Sequence, residues 1–169
     1  WEDVVFNNSQ VTNSLLSNIS SIALVVANSA FKRNIMLSNS GLERARGGAI
    51  IDNEDGLFAS NNLANMNLSY LDLSGGNFSK VSFQKSIARG TIFKQAILKN
   101  SLFIDVDLRG SDFMGADLSG AEIRNSNLQG ASFEKANFRD SILENLDFSR
   151  SSVANANFQD AKLQNVNGM

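Results

Sequence analysis

The sequence predicts a solenoid, in which the chain turns a corner every five residues around a single apolar interior. An apolar residue recurs at every fifth position from Phe58 to Leu163 without a break in phase, and most of the 12 phenylalanines lie there. The residue two positions before each of these centres is usually small, and the residue directly before it is often Asp or Asn. Internal repetition of this kind is typical of stacked repeat architectures.

A period of five fits neither regular secondary structure. A helix repeats every 3.6 residues and a strand every 2, so an apolar residue at every fifth position would face no constant direction in either. A corner at every fifth residue removes the conflict, because each centre then points to the same interior. The small residue near each corner also points inward, while the Asp or Asn between the two points out.

Three segments carry the motif clearly: Ala116-Asp117-Leu118-Ser119-Gly120, Ala136-Asn137-Phe138-Arg139-Asp140 and Ala156-Asn157-Phe158-Gln159-Asp160. They resemble the pentapeptide-repeat family, whose motif is Ala-(Asp/Asn)-Leu-Xaa-Xaa, and the resemblance covers residues 56–165. It implies an all-β fold, a right-handed four-sided parallel β-helix with four pentapeptides per coil. Larger residues at some inner small positions, such as Val106 and Leu146, predict local bulging of the coil.

On this interpretation, centres that lie one coil apart stack along four sides. Side 1 contains Phe58, Phe78, Leu98, Leu118, Phe138 and Phe158. Side 2 contains Leu63, Phe83, Phe103, Ile123, Leu143 and Leu163. Side 3 contains Leu68, Ala88, Leu108, Leu128 and Phe148. Side 4 contains Leu73, Phe93, Phe113, Phe133 and Val153.

The first 55 residues are less regular. Short strand-like runs, separated by turn-forming Asn, Ser and Gly, lie at Val4–Phe6, Ile22–Val26, Ile35–Leu37 and Ala49–Ile51. Two segments are similar to the FxxN and GGAI motifs of autotransporter passenger repeats: Phe31-Lys32-Arg33-Asn34 and Gly47-Gly48-Ala49-Ile50. We expect residues 1–55 to form irregular, wider β-helix coils or a separate cap.

Residues 166–169 are predicted to be a tail, because Gly168 stands where the next apolar centre is due. An end of a β-helix that lacks a cap exposes strand edges and core residues. The sequence therefore predicts contact of this end with a second copy, in an end-to-end homodimer, or with an attached neighbouring domain.

Composition excludes several chemistries. The chain has no His and no Cys, which excludes a Ser-His-Asp relay, a Cys-His pair and His or Cys metal sites. Asp107, Asp112, Asp117 and Glu122 are five residues apart, so they are expected to point outward on four different sides. Paired acid–base chemistry needs two carboxyl groups within about 10 Å at one cleft. We therefore expect no catalytic residues, no metal site, no cofactor and no enzymatic activity.

The most unusual stretch is residues 80–104, called the belt below. Four apolar residues take the outward position before the centre, where Asp or Asn is usual, and five cations accompany them without a carboxylate. The candidate partner-binding residues are therefore Lys80, Lys85, Ile87, Arg89, Ile92, Lys94, Ile97, Lys99 and Leu102. Exposed apolar surface rimmed by charge is typical of an interaction site. Alternatively, the Lys and Arg stems or the N-terminal segment cover the aliphatic groups.

Three function classes stay open. The first is a non-enzymatic protein-interaction or scaffold module, such as the recognition domain of a bacterial secreted effector, which leaves both a bacterial cytoplasmic and a secreted location open. The second is a DNA mimic that binds topoisomerases, as in some members of the family, and the third is a carbohydrate-binding β-helix. A net charge of −2 and the basic belt argue against the DNA mimic. We expect the partner to be another protein, with no nucleic acid bound and no membrane span.

Overall fold

The computed structural model describes residues 63–169 in full and, between residues 4 and 51, the backbone of seven short strands. All of the regular secondary structure in these described parts is β, as expected. Within them, no helix is long and apolar enough to cross a membrane.

The strands before residue 52 pair in parallel with a separation of 20 residues. They are β1 (Val4–Asn7), β2 (Gln10–Thr12), β3 (Leu15–Leu16), β4 (Leu24–Ala27), β5 (Ala30–Lys32), β6 (Ile35–Met36) and β7 (Ile50–Ile51). Val4 pairs with Leu24, Leu15 with Ile35, and Ala30 with both Gln10 and Ile50. This separation equals that of the regular coils, and the assignment of residues 1–55 to irregular coils or a separate cap stays a prediction. Gly47 and Gly48 of the second N-terminal motif lie outside the described residues.

From residue 63 onward the same separation recurs on all four sides. Side 2 forms a parallel sheet of four strands, β8 (Leu102–Ile104), β9 (Glu122–Arg124), β10 (Ile142–Asp147) and β11 (Lys162–Asn167). On the other sides, single bridges connect successive coils, for example Ile87 to Asp107 and Ile92 to Asp112. The predicted four-sided β-helix is confirmed for this part of the chain.

The centres fill the interior, which is dominated by phenylalanine. Phe93, Phe113 and Phe133 on side 4 stack at centroid separations of 4.7 and 4.9 Å and are fully buried. Phe83 and Phe103 on side 2 stack at 4.5 Å, and Phe103 meets Phe113 edge to face at 5.8 Å. The centroid separations of the stacked rings follow from the distance between neighbouring strands, about 4.8 Å.

Each corner is a turn closed by local hydrogen bonds. The residue two after the centre, called the corner residue below, has a positive φ at nearly every corner, such as 54° at Asn145 and 66° at Gly110. In most turns the N–H that follows the corner residue donates to the carbonyl of the centre, as Ala116 does to Phe113 at 2.9 Å. Gly and Asn tolerate this left-handed conformation best, which explains their frequency at corners.

The predicted bulging is seen at Val106. The N–H of Val106, which follows the corner between sides 2 and 3, donates to the hydroxyl of Ser126 at 3.1 Å instead of to the preceding centre. Leu71, which is similarly large, keeps the normal turn bond to Leu68 at 3.2 Å. A large inner residue therefore does not by itself open a corner.

The last coil leaves core residues partly exposed. Leu163 is 46% exposed, whereas the equivalent Leu143, one coil earlier, is fully buried. Val153 and Phe158 are also only partly buried. A partner at this end, either a second copy or a neighbouring domain, stays a prediction.

Candidate interaction surface

The four apolar residues of the belt lie one on each side of the β-helix. Ile87 lies on side 3, Ile92 on side 4, Ile97 on side 1 and Leu102 on side 2, each directly before a buried centre. Ile87 and Ile97 are 42% and 39% exposed, while Ile92 and Leu102 are partly buried. The Lys and Arg stems therefore do not cover Ile87 or Ile97.

The belt lacks a hydrogen bond that neighbouring coils make. At the equivalent position one coil earlier, Asp72 accepts the backbone N–H of Ser74 at 3.0 Å, and one coil later Asp112 accepts that of Met114 at 3.0 Å. Asn67, Asn77 and other polar residues at this position make the same bond. An isoleucine or leucine has no acceptor, so the belt gives up this local stabilisation on sides 3, 4 and 1.

Three of the belt cations are paired with carboxylates of the coil that follows, residues 105–122, called the acidic coil below. Arg89 contacts Asp107 at 2.6 Å. Lys94 contacts Asp112 at 3.1 Å and Lys99 contacts Asp117 at 3.3 Å. Each pair joins the residue after one centre to the residue before the centre one coil later, a step of 18 residues. The basic belt and the acidic coil are therefore not separate charged surfaces, because ion pairs connect them on three sides.

Asp107 has the most perturbed carboxyl group of this network. The hydrogen bond from the Arg109 side chain, made at 2.8 Å, is the main reason that the pKa of Asp107 falls from 3.8 to about 2, although burial opposes the shift and Arg89 adds to it. Burial alone would raise the pKa of Asp117, but hydrogen bonds from Ser119 and Lys99 outweigh it and lower the pKa. Both carboxylates stay ionised at neutral pH and hold the two coils together.

Side 2 differs from the other three sides. Its residue after the centre is Ile104, so Leu102 and Ile104 are two partly buried aliphatic side chains that face outward from the same strand, β8. Lys80 and Lys85, the corner residues at the two ends of side 2 in the preceding coil, contact no carboxylate within residues 63–169. Ile104 is not among the residues predicted from the sequence, although its place after Phe103 could have revealed it.

The four carboxylates singled out in the sequence diverge, as predicted. Asp107, Asp112, Asp117 and Glu122 lie on four different sides, and each contacts a cation; for Glu122 this is Arg124, at 3.2 Å. In the described part of the chain, His, Cys, Asp and Glu side chains form no group of three that could hold a metal ion.

A polar cleft lies on side 3 near the end of the β-helix, away from the belt. It has a volume of about 670 Å³. Its lining residues are Asn125, Ser126, Asn127, Leu128, Gln129, Asn145, Asp147, Ser149 and Arg150. Asn145 donates to Asn125 at 2.8 Å, so one wall is part of an asparagine ladder. Nothing in the sequence analysis pointed to this cleft.

Family models agree with this architecture. A pentapeptide repeat region matches residues 56–133, and a model of nine pentapeptide repeats matches residues 108–167, so the two together cover about two thirds of the chain. The chain belongs to the pentapeptide-repeat family.

Solved structures of the same kind are also similar. A pentapeptide repeat protein of the Arabidopsis thaliana thylakoid lumen is 30% identical, over 60% of this chain and 64% of that one, with a TM-score of 0.45. Rfr23 of the cyanobacterium Cyanothece 51142 is 24% identical, over 63% and 58% of the two chains, with a TM-score of 0.45. HetL of Nostoc sp. strain PCC 7120, involved in heterocyst differentiation regulation, is 16% identical, over 98% and 90%, with a TM-score of 0.32.

The matched region spans less than two thirds of the length of the first two of these proteins. No curated protein sequence matches the chain.

Proposed function

We propose that this chain is a non-enzymatic protein-interaction module that binds a partner protein through the belt. One observation carries the proposal: four consecutive outward positions hold Ile or Leu, and on sides 3, 4 and 1 the coils on either side hold an Asp or Asn that caps the turn. A hydrogen bond of this kind contributes about 0.5–1.5 kcal/mol net. An aliphatic group exposed to water does not offset the loss of this hydrogen bond. Burial of the same group under a partner protein stabilises the complex by roughly 25 cal/mol per Å² of apolar surface.

The acidic residues favour this proposal over the DNA mimic. Mimicry of a duplex needs rows of unpaired negative charge along the surface. Here Asp107, Asp112 and Asp117 each contact a cation of the belt, and the net charge is only −2. These three carboxylates are therefore not free to imitate phosphates.

The role as the recognition arm of a bacterial secreted effector is a finer form of the same proposal. It predicts a catalytic domain in the sequence that adjoins this chain. A partner at the exposed last coil would be a separate contact, which the belt variants described next leave unchanged.

The test restores the missing caps. In one variant, Ile87, Ile92, Ile97 and Leu102 are all replaced by Asn. We expect its melting temperature to stay within about 5 °C of the wild type, because new turn bonds on sides 3, 4 and 1 offset the lost aliphatic contacts. Peptides selected on the wild-type protein from a random phage-displayed library should lose binding to the variant.

The matched control changes the same outward positions two coils later, as Asn127→Ser with Ser132→Asn. It should bind the selected peptides as the wild type does. Peptides that bind the capped variant as tightly as the wild type would overturn the proposal. A large loss of stability in the capped variant would instead assign the aliphatic residues to the fold.

The polar cleft on side 3 favours a second candidate function, carbohydrate binding. Its amide and hydroxyl groups, such as those of Asn127, Gln129 and Ser149, can hydrogen-bond to sugar hydroxyls. It lacks an aromatic ring for a sugar to stack on, which makes this the weaker candidate. Titration of neutral and acidic oligosaccharides, followed by NMR of the asparagine side-chain amides, tests it.

A further inference from the structure

A single partner surface can contact only one side of the belt and its two corners. The belt carries one outward aliphatic residue before the centre on each of its four sides. Other residues must therefore decide which side binds the partner. We propose that side 2 is the docking surface and that its partner is a protein segment combining aliphatic or aromatic residues with Asp or Glu. This inference rests on the proposed function and specifies its partner. The side-2 patch consists of Lys80, Lys85, Leu102 and Ile104.

The cations around side 2 contact no carboxylate in the fully described part of the chain, whereas those of the other three sides do. On sides 3, 4 and 1, the cation after the centre contacts a carboxylate one coil later, at 2.6 to 3.3 Å. A partner carboxylate would have to compete with that contact. Lys80 and Lys85 contact no carboxylate in the fully described part of the chain, so the charge of both is available to a partner. Both occupy corners, with φ of 63° and 57°, and both are exposed.

Side 2 also carries two outward aliphatic side chains, where each of the other sides carries one. Leu102 and Ile104 flank the buried Phe103 in β8, so their side chains lie next to each other on the outer surface. On the other three sides a cation takes the place of the second aliphatic residue. Within residues 63–169, side 2 is also where the coils form strands, since β8 pairs with β9 and the sheet continues to β11. It is therefore a regular surface with two adjacent apolar side chains.

The charges around the patch set the chemistry of the partner. The lysines lie at the corners of the coil before Leu102, and Asp105 lies at the corner after Ile104. Glu122 on the next coil is engaged by Arg124, which also contacts Glu144. A partner therefore meets two lysines on the N-terminal edge of the patch and one carboxylate, that of Asp105, at the corner after Ile104. Complementarity of this kind sets specificity and the rate of association.

The experiment compares three sets of asparagine substitutions. The first removes the charges, Lys80→Asn with Lys85→Asn, and the second removes the apolar pair, Leu102→Asn with Ile104→Asn. The third changes the rest of the belt, as Ile87→Asn, Ile92→Asn and Ile97→Asn. Asparagine tolerates a positive φ, so the lysine substitutions do not strain the corners. Lys135→Asn, at a corner outside the belt with φ of 58°, is the matched control.

The probe is a set of synthetic peptides taken from the library selection on the wild-type protein, with affinities measured by fluorescence anisotropy. We expect the selected peptides to share acidic and apolar residues. Removing the lysines or the apolar pair should each weaken binding by about tenfold or more, which corresponds to about 1.4 kcal/mol. The three-isoleucine variant and Lys135→Asn should stay within about twofold of the wild type.

The outcomes separate this inference from the proposed function. If only the three-isoleucine variant loses binding, the belt binds a partner but side 2 is not the surface. If no peptide distinguishes the wild type from the capped variant, the proposed function fails as well. Selected peptides without acidic residues, or a labelled DNA or RNA duplex that binds the wild type more tightly than the peptides do, would overturn the chemistry proposed for the partner.

Discussion

Removing the ring of Phe113 should destabilise the β-helix more than removing an equivalent ring at its end. Phe113 is fully buried and stacks between Phe93 at 4.7 Å and Phe133 at 4.9 Å. Truncation of a buried Phe to Ala costs about 3–5 kcal/mol. Stacked and edge-to-face contacts contribute a further 0.5–1.5 kcal/mol or so per pair, which places Phe113→Ala at the upper end of that range.

Phe158→Ala is the matched control, because Phe158 also stacks on a ring, that of Phe138 at 4.9 Å, but lies in the partly exposed last coil. We expect it to cost about 1–2 kcal/mol, since part of its surface is already in contact with water. Urea unfolding followed by far-UV circular dichroism measures both variants. Equal destabilisation by the two, or a loss below about 1 kcal/mol for Phe113→Ala, would refute the continuous stack.

Three further predictions concern the surface and the corners. Because the pKa of Asp107 is lowered to about 2 from 3.8, its contribution to stability is present above pH 3.8 and is lost as the pH falls toward 2. Asp107→Asn should therefore flatten the acid-induced loss of stability by about 1 kcal/mol after solvent screening, and an unchanged urea–pH profile would contradict the network. Gly90→Ala and Gly110→Ala should both be destabilising by roughly 1–2 kcal/mol, because φ is 60° and 66°. Only Gly90→Ala should shift the NMR ring signals of Tyr70, because the Cδ1 of Tyr70 lies 2.8 Å from the added Cβ. Equal shifts in both variants would show that the Tyr70 ring does not lie against Gly90. Asn145→Ala should melt below Asn145→Gly, since both lose the ladder but only Ala strains the corner, and the reverse order would contradict the left-handed corner.

The interior could be predicted from the sequence because one rule places every centre. Once the corner recurs at each fifth residue, the side occupied by Phe93, Phe113 and Phe133 follows by counting. The outward direction of Ile87 and Ile97 follows in the same way, and their exposure confirms it. The side and direction of each residue depend only on its place within its own group of five residues, so no long-range information was needed.

The contacts between coils could not be predicted in the same way. Counting shows which residues share a side, but not how far a side chain leans along the axis toward the next coil. The step of 18 residues from Arg89 to Asp107 depends on that lean. Counting therefore places the cations of the belt and the carboxylates of the next coil on successive coils, but it does not show that ion pairs connect the two on three sides.

The N-terminal strands show a different limit. Val4 and Leu24 pair at the same separation as the regular coils, but the side chains before residue 56 do not repeat with a period of five. A backbone repeat without a side-chain repeat leaves no pattern to count. The coil length in this region was therefore visible only in the strand pairing.

The central claim is that residues one coil apart are neighbours, and a cysteine cross-link tests it directly. The chain has no cysteine, and Ser132 pairs with Ser152 across adjacent coils. Neighbouring strands are about 4.8 Å apart, within the Cα separation that a disulfide spans. Under mild oxidation, Ser132→Cys with Ser152→Cys should form an intramolecular disulfide, detected by mass spectrometry, and Ser132→Cys with Asn157→Cys, on adjacent sides, should not. Equal cross-linking of the two pairs, or none in the first, would contradict the 20-residue coil.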